Sequence, residues 1–219
     1  MGDLSPESVR VVVVGMIIFI LSVAVHEFGH AFVADRLGDR LPRAQGRVTL
    51  NPAAHADPIG TLLLPFFFLA TTGSIGFAWG KPVMHTTHDR KRRLFISAAG
   101  PAMNVVLAFV TAAILVALVR FGVIQDGTAA VGALHLVVLL NFSMFFFNLL
   151  PAAPLDGGSV VRGLIPESWV DAWDRYAVYA PFVLLAFLMI PRIGVIVWKP
   201  AYEATDWTIQ LFVRLFGAA

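Results

Sequence analysis

Residues 11–33 read VVVVGMIIFILSVAVHEFGHAFV, and this run decides the fold. It exceeds the roughly 20 apolar residues that a helix needs to cross hydrocarbon, and it is longer than the apolar core of a signal peptide. His26, Glu27 and His30 lie in its last third, so it reads as a retained spanning helix that carries chemistry. The rest of the chain agrees: of 219 residues, 58% are apolar and 14% charged, with a mean hydropathy of +0.79. Soluble domains hold about 25% charged residues, so a disordered chain, a collagen-like chain and an ordinary cytosolic globule are excluded. The net charge is +2, and the basic residues sit in short loops rather than one patch, which argues against a nucleic-acid partner. With no cysteine, disulfides, thiolate metal sites and cysteine nucleophiles fall away together, and any metal rests on His, Asp or Glu.

Further apolar stretches run over 59–79, 94–119, 131–150 and 176–190. A last one, 193–216, is interrupted by Lys199, Pro200, Glu203, Asp206 and Arg214, and either spans or lies flat at the interface. Loop charges give a topology. Arg36, Arg40, Arg43 and Arg47 place loop 34–58 in the cytoplasm, and Lys81, Arg90, Lys91, Arg92 and Arg93 place loop 80–93 there too. Two consecutive loops share a side only if the run between them does not cross. That run holds Gly60, Pro65, Thr71, Thr72, Gly73, Ser74 and Gly76, so it reads as a re-entrant hairpin. The N-terminus then lies outside, and the fourth segment runs parallel to the first.

The expectation is an all-α polytopic membrane protein with five to six hydrophobic helical segments, one of them re-entrant. It forms a single domain over 1–219, with a catalytic core at about 11–163 and C-terminal membrane or interfacial segments at about 176–216. Residues 42–50 alternate weakly and are a candidate short β element at the membrane edge, placed to clamp an unwound substrate by strand addition.

His26-Glu27-Phe28-Gly29-His30 fits the pattern H-E-x-x-H. Residues four apart in a helix project from nearly one direction, so both imidazoles can ligate one zinc, while Glu27 on the adjacent flank can move a proton between an activated water and a leaving amine. The bland alternative is a set of polar residues hydrogen-bonded to a neighbouring helix. An ionisable residue at mid-membrane costs roughly 2.5–3.5 kcal/mol on insertion scales, which favours function. A catalytic zinc wants a third protein ligand. Asp156, in Asn148-Leu149-Leu150-Pro151-Ala152-Ala153-Pro154-Leu155-Asp156-Gly157-Gly158, would lie at the depth of the two histidines. The residue chemistry equally allows Asp156 to be the N-cap of a helix starting near Gly157.

Together with Gly100-Pro101-Ala102-Met103-Asn104, these two stretches give the chain a resemblance to the site-2 proteases, intramembrane zinc metalloproteases, over about residues 11–163. The resemblance implies one catalytic zinc held by His26, His30 and Asp156, with Glu27 as general base and acid and Asn148 near the metal holding substrate or its oxyanion. It also implies cleavage of a transmembrane-helix substrate within or near the bilayer, to release a regulatory protein or clear a remnant. Residues 55–65, HADPIGTLLLP, resemble a subgroup of small bacterial members, without a PDZ-like or CBS-like domain. A multi-pass protein of a bacterial inner membrane follows, its zinc site towards the cytoplasm and its oligomeric state open. Competing classes are a cation transporter, which would favour more acidic or His residues along a path, and a silent helix-binding adaptor, which needs none of these four residues.

Several other polar residues carry lesser expectations. His55 and Asp57 could touch or gate the metal, but an Asp-Pro turn with a solvated histidine is favoured. Asn104 reads as interhelical glue or a substrate contact, His85 and His88 as solvent-exposed, and His135 as an interhelical hydrogen-bonder.

Overall fold

The computed structural model describes residues 6–72, 78–190 and 194–217. Among the described residues nine α-helices follow in order: α1 Pro6–Arg36, α2 Leu41–Ala44, α3 Pro52–His55, α4 Leu64–Thr72, α5 Arg90–Arg120, α6 Ala129–Asn148, α7 Asp156–Leu164, α8 Val170–Met189 and α9 Val195–Leu215. A π-helical turn, Pro58–Leu63, leads into α4, and a 3₁₀ turn, Glu167–Trp169, leads into α8. The chain is an all-α, membrane-type protein.

Among the described residues three helices are long and apolar enough to cross a membrane: Val9–Arg36, Arg90–Arg120 and Ala129–Asn148. At 1.5 Å per residue the 20 residues of α6 reach about 30 Å, the thickness of a hydrocarbon core. The last two expected segments also form helices, α8 and α9, but Asp171, Asp174 and Arg175 interrupt the first, and Lys199, Glu203 and Asp206 the second.

Apolar surface drives no helix association in lipid, so close packing must do it. At Gly29 a Cβ would lie 2.7 Å from the Ala99 carbonyl oxygen of α5, so only glycine lets the two backbones come this near. Further along α5, Ala108 and Ala112 pack with Val138 and Phe142 of α6 and Ala201 of α9. Val11, Val13, Ile17 and Leu21 are exposed, as residues facing lipid should be.

Helix directions follow from cross-links. His30 of α1 meets Ile96 of α5, while His26, one turn earlier, meets Asn104, two turns later, so α1 and α5 are antiparallel. Ser22 is tied to Asn141 of α6, and His26 and His30 lie beside Asp156, beyond the C-terminus of α6. α1 and α6 therefore run the same way, the orientation inferred from the loop charges.

The two ends of run 59–79 are joined. Trp79 N–H donates to the Gly60 carbonyl at 3.1 Å, and Thr61 Oγ1 donates to the Trp79 carbonyl at 2.8 Å. The run enters and leaves at one end of the bundle, as a hairpin does; Gly73, Ser74 and Gly76 lie outside the described residues. Asp57 starts it, accepting from Ile59 N at 3.0 Å and Gly60 N at 2.7 Å, which is the turn role expected of an Asp before Pro.

Residues 42–50 correct an expectation. Leu41–Ala44 is a short helix with a proline in its first turn, Gly46 has φ +66°, and no strand occurs among the described residues. The fixed φ of Pro42 and the left-handed Gly46 both break extended pairing. Arg47, read as a loop charge, is 3% exposed and donates to the carbonyls of Ala54 and Lys81.

Residues 80–87 form an irregular strap along α1. Lys81 N donates to the His55 carbonyl at 2.8 Å, and Asp39 accepts from Thr86 N at 2.5 Å and Thr87 N at 3.1 Å. Burial opposes ionisation of Asp39, yet the N–H groups of Leu41, Thr86 and Thr87 hold its carboxyl below the usual range. A depressed carboxyl stabilises the fold above its unfolded pKa and loses that contribution as pH falls through the folded value. At pH 7, Asp39→Asn is therefore expected to speed amide exchange at Thr86 and Thr87 by about fivefold, since hydrogen bonds to a charged acceptor exceed neutral ones by roughly 1 kcal/mol. The difference from wild type should fade below the ordinary carboxylate value of 3.8; exchange rates measured against pH check it.

Candidate metal centre

His26 and His30 lie one turn apart on the buried face of α1, 6% and 8% exposed. Asp156 is brought to them by the turn that follows α6. One ligand atom from each falls within 4.8 Å of the others. His26 Nε2 is 3.0 Å from His30 Nε2, and Asp156 Oδ2 is 3.1 Å from the first and 3.3 Å from the second.

The protons on the two imidazoles are fixed from outside the triangle. His30 Nδ1 lies 2.7 Å from the Ile96 carbonyl, which can only accept, so Nδ1 holds the hydrogen and neutral His30 presents a lone pair at Nε2. For His26 the argument starts at Val137, whose carbonyl accepts from Asn141 Nδ2 at 2.8 Å. Asn141 Oδ1 therefore faces Asn104 and accepts from its Nδ2 at 2.8 Å. That leaves Asn104 Oδ1 against His26 Nδ1 at 2.6 Å, so His26 also donates from Nδ1. Asn141 Nδ2 reaches Ser22 Oγ as well, at 2.9 Å, which closes the chain on α1. Asn104 and Asn141 are 0% exposed.

With both imidazoles neutral, two Nε2 lone pairs and a carboxylate oxygen converge, and Asp156 Oδ2 is buried without a hydrogen-bond donor. Such a set repels itself unless a cation sits within it. Four-coordinate zinc with bonds of ~2.0–2.1 Å places its ligand atoms about 3.3 Å apart, close to the observed edges. The donor set fits zinc.

Local sequence explains why nothing else fills this space. At Gly100 a Cβ would lie 2.3 Å from His30 Nε2 and 2.7 Å from His26 Nε2, so the wall facing the ligand atoms is bare backbone. At Gly157 a Cβ would lie 2.3 Å from the Leu150 carbonyl oxygen, which lets the turn fold back on α7. The N-cap of α7 is Leu155, and the Asp156 side chain faces the histidines rather than capping.

The other candidates divide. Glu27 is 8% exposed, on the flank next to the ligands, and its Oε2 accepts from Val83 N at 3.0 Å. Asn148 ends α6 and donates its side-chain N–H to the Met144 carbonyl at 2.9 Å, within its own helix. His55 corrects the expectation of a solvated side chain: it is 1% exposed, with Nε2 on the Thr49 carbonyl at 2.8 Å. His85 is half-buried, unlike the exposed residue expected, and His88 is exposed. His135 is half-buried and makes no side-chain hydrogen bond among the described residues. Sequence reasoning passed over Ser22 and Asn141. The signal was there: Ser22 stands four residues before His26, on the same helical stripe.

Partners that fix a ligand imidazole typically change metal affinity 10–100-fold when removed. Asn104→Leu is therefore expected to weaken zinc binding by that factor, read by competition with a chelator. Ser22→Ala, two bonds further out, is expected to shift it less than fivefold.

Comparisons with known proteins agree with this geometry. Peptidase family M50 matches residues 14–132 and 121–190. The chain is 32% identical over 208 residues to "Putative zinc metalloprotease YwhC" of Bacillus subtilis, covering 92% of this chain and 91% of that one. It is 36% identical over 158 residues to "Putative zinc metalloprotease Rip2" of Mycolicibacterium smegmatis, covering 68% and 57%. With "Zinc metalloprotease MJ0392" of Methanocaldococcus jannaschii it shares 26% over 153 residues, covering 70% and 34%. No solved structure matches the chain. The chain belongs to peptidase family M50, the site-2 protease family of zinc metalloproteases.

Proposed function

We propose that this metalloprotease hydrolyses peptide bonds within or near the transmembrane helices of membrane-protein substrates, as one integral-membrane unit. The observation that carries the reading is the triangle that Asp156 makes with His26 and His30 on the buried face of a helix long enough to span. His26, His30 and Asp156 are the zinc ligands. Bound there, zinc supplies Lewis acidity, making water a nucleophile at neutral pH and polarising the scissile carbonyl.

The chain's own residues do the rest. Glu27, one residue from His26 and on the adjacent flank, takes the proton from the attacking water and hands it to the leaving amine nitrogen. The Val83 N–H on Oε2 leaves Oε1 of Glu27 as the oxygen for that transfer. Asn104 and the Ile96 carbonyl keep both ligand imidazoles in the tautomer that offers Nε2. Asn148 is assigned to the substrate or its oxyanion, a role in which its amide N–H turns from the Met144 carbonyl to the substrate.

The site lies towards the cytoplasmic side of a bacterial inner membrane. Supporting this, the basic loops on either side of the hairpin emerge at one end, where Trp79 meets Gly60. Burial of Arg47 removes one of the charges behind that orientation but leaves Arg36, Arg40 and Arg43 in the same loop.

The test pairs zinc stoichiometry with cleavage of a model transmembrane substrate, in detergent-purified wild type and Glu27→Gln. One zinc in both is expected, with cleavage reduced 10²–10⁴-fold in the variant, the span typical for loss of a general acid–base group. Zinc in both with equal cleavage would overturn the role of Glu27, and wild type devoid of zinc would overturn the ligand assignment.

A further inference from the structure

A second polar cleft, of about 340 Å³, opens where the starts of α5, α7 and α8 meet. Arg93, Ser159, Arg162, Trp173 and Asp174 line it, together with residues 153–155. Two guanidiniums face one carboxylate, so the cleft holds one surplus positive charge. Arg162 commits Nε and Nη2 to Asp174 at 2.7 and 2.8 Å. Its Nη1 bonds nothing among the described residues. Arg93 is half-buried, and among the described residues its guanidinium makes no hydrogen bond and no ion pair. A half-buried guanidinium held beside an already satisfied carboxylate is a site for an anion that arrives from outside.

Depth names the anion. Arg93 directly precedes Leu94, where the apolar run of the second long spanning helix begins, so the cleft opens at the level of lipid headgroups. Trp173 is a ring of the type that settles at the lipid–water boundary. Lys91, Arg92 and Arg175 are exposed and neighbour the lining residues in sequence, adding positive charge that Glu167, which acts on Arg162, offsets in part. A planar guanidinium fork matches two phosphate oxygens, and the free Nη1 of Arg162 offers a third donor.

We infer that this cleft binds the phosphodiester of an anionic phospholipid headgroup, with Arg93 as its principal ligand. Because residues 153–155 line the cleft, the headgroup rests beside the turn that carries Asp156. The inference stands on the membrane placement and not on the protease reading.

The test is a titration of the full-length chain in neutral detergent, read as bound mass by native mass spectrometry. The probes are short-chain phosphatidylglycerol, short-chain phosphatidylcholine and inorganic phosphate. Wild type is expected to hold one phosphatidylglycerol at least fivefold more tightly than phosphatidylcholine. Arg93→Gln should weaken it at least tenfold, as expected for loss of a hydrogen bond between charged groups, and Arg92→Gln, which only adds to the surrounding field, less than fivefold. Arg93→Lys, keeping the charge without the fork, should fall between. Zinc content and helical circular dichroism, measured alongside, show that each variant is folded. Equal affinity for the two lipids, or equal losses in Arg92→Gln and Arg93→Gln, would overturn the proposal. Displacement of the lipid by an equal concentration of inorganic phosphate would overturn the lipid as source, leaving a site for free phosphate. Since lipid mass is read rather than cleavage, either reading fails without the other.

Discussion

The Val137 carbonyl sits three hydrogen bonds from His26 in the candidate metal centre and fixes the hydrogen on its Nδ1. It can only accept, so it orients Asn141, which orients Asn104, which orients His26. In a buried, apolar setting each link is costly to break, because a reversed amide would leave two donors or two acceptors facing each other. The chain ties α1, α5 and α6 through their interiors, at one depth. The same bonds therefore hold three helices in register and keep a lone pair on His26 Nε2. Packing serves the same end: Gly29 lets α5 approach α1, and Gly100 keeps the approach free of side chain where the ligand atoms converge.

Much of the fold was legible because membranes simplify the grammar. A helix that must satisfy its own backbone shows as a long apolar run, and α1, α5 and α6 were read that way. The hairpin at 59–79 came from charge bookkeeping on its two flanking loops, and the bonds between Trp79 and the Gly60–Thr61 pair agree. Loops were harder. Residues 42–50 alternate in hydropathy, but Pro42 and Gly46 set backbone angles that alternation cannot express. Arg47 and His55 read as solvated because polar loop residues usually are, whereas here both are buried against backbone carbonyls.

The site itself was legible in its donors and not in their support. Two histidines four apart on an apolar helix announce a shared direction, and an aspartate between prolines and glycines announces a turn. The triangle of 3.0, 3.1 and 3.3 Å joins them. Ser22 and Asn141 went unread because a lone serine or asparagine in a span is common, and only the neighbouring helices show that these two share one chain. Asn148 is the case where the helix carries its own partner: its amide is satisfied by Met144, one turn back.

Glu27 is oriented by a main-chain N–H, that of Val83. Every residue type except proline supplies the same donor at that position, so the bond is silent in the sequence. Drift at residue 83 to any type but proline leaves it intact. The side chains that anchor the strap are those of Asp39 and Arg47, which lie elsewhere in the chain. The heritable determinants of Glu27's orientation are thus displaced from the atom that provides it.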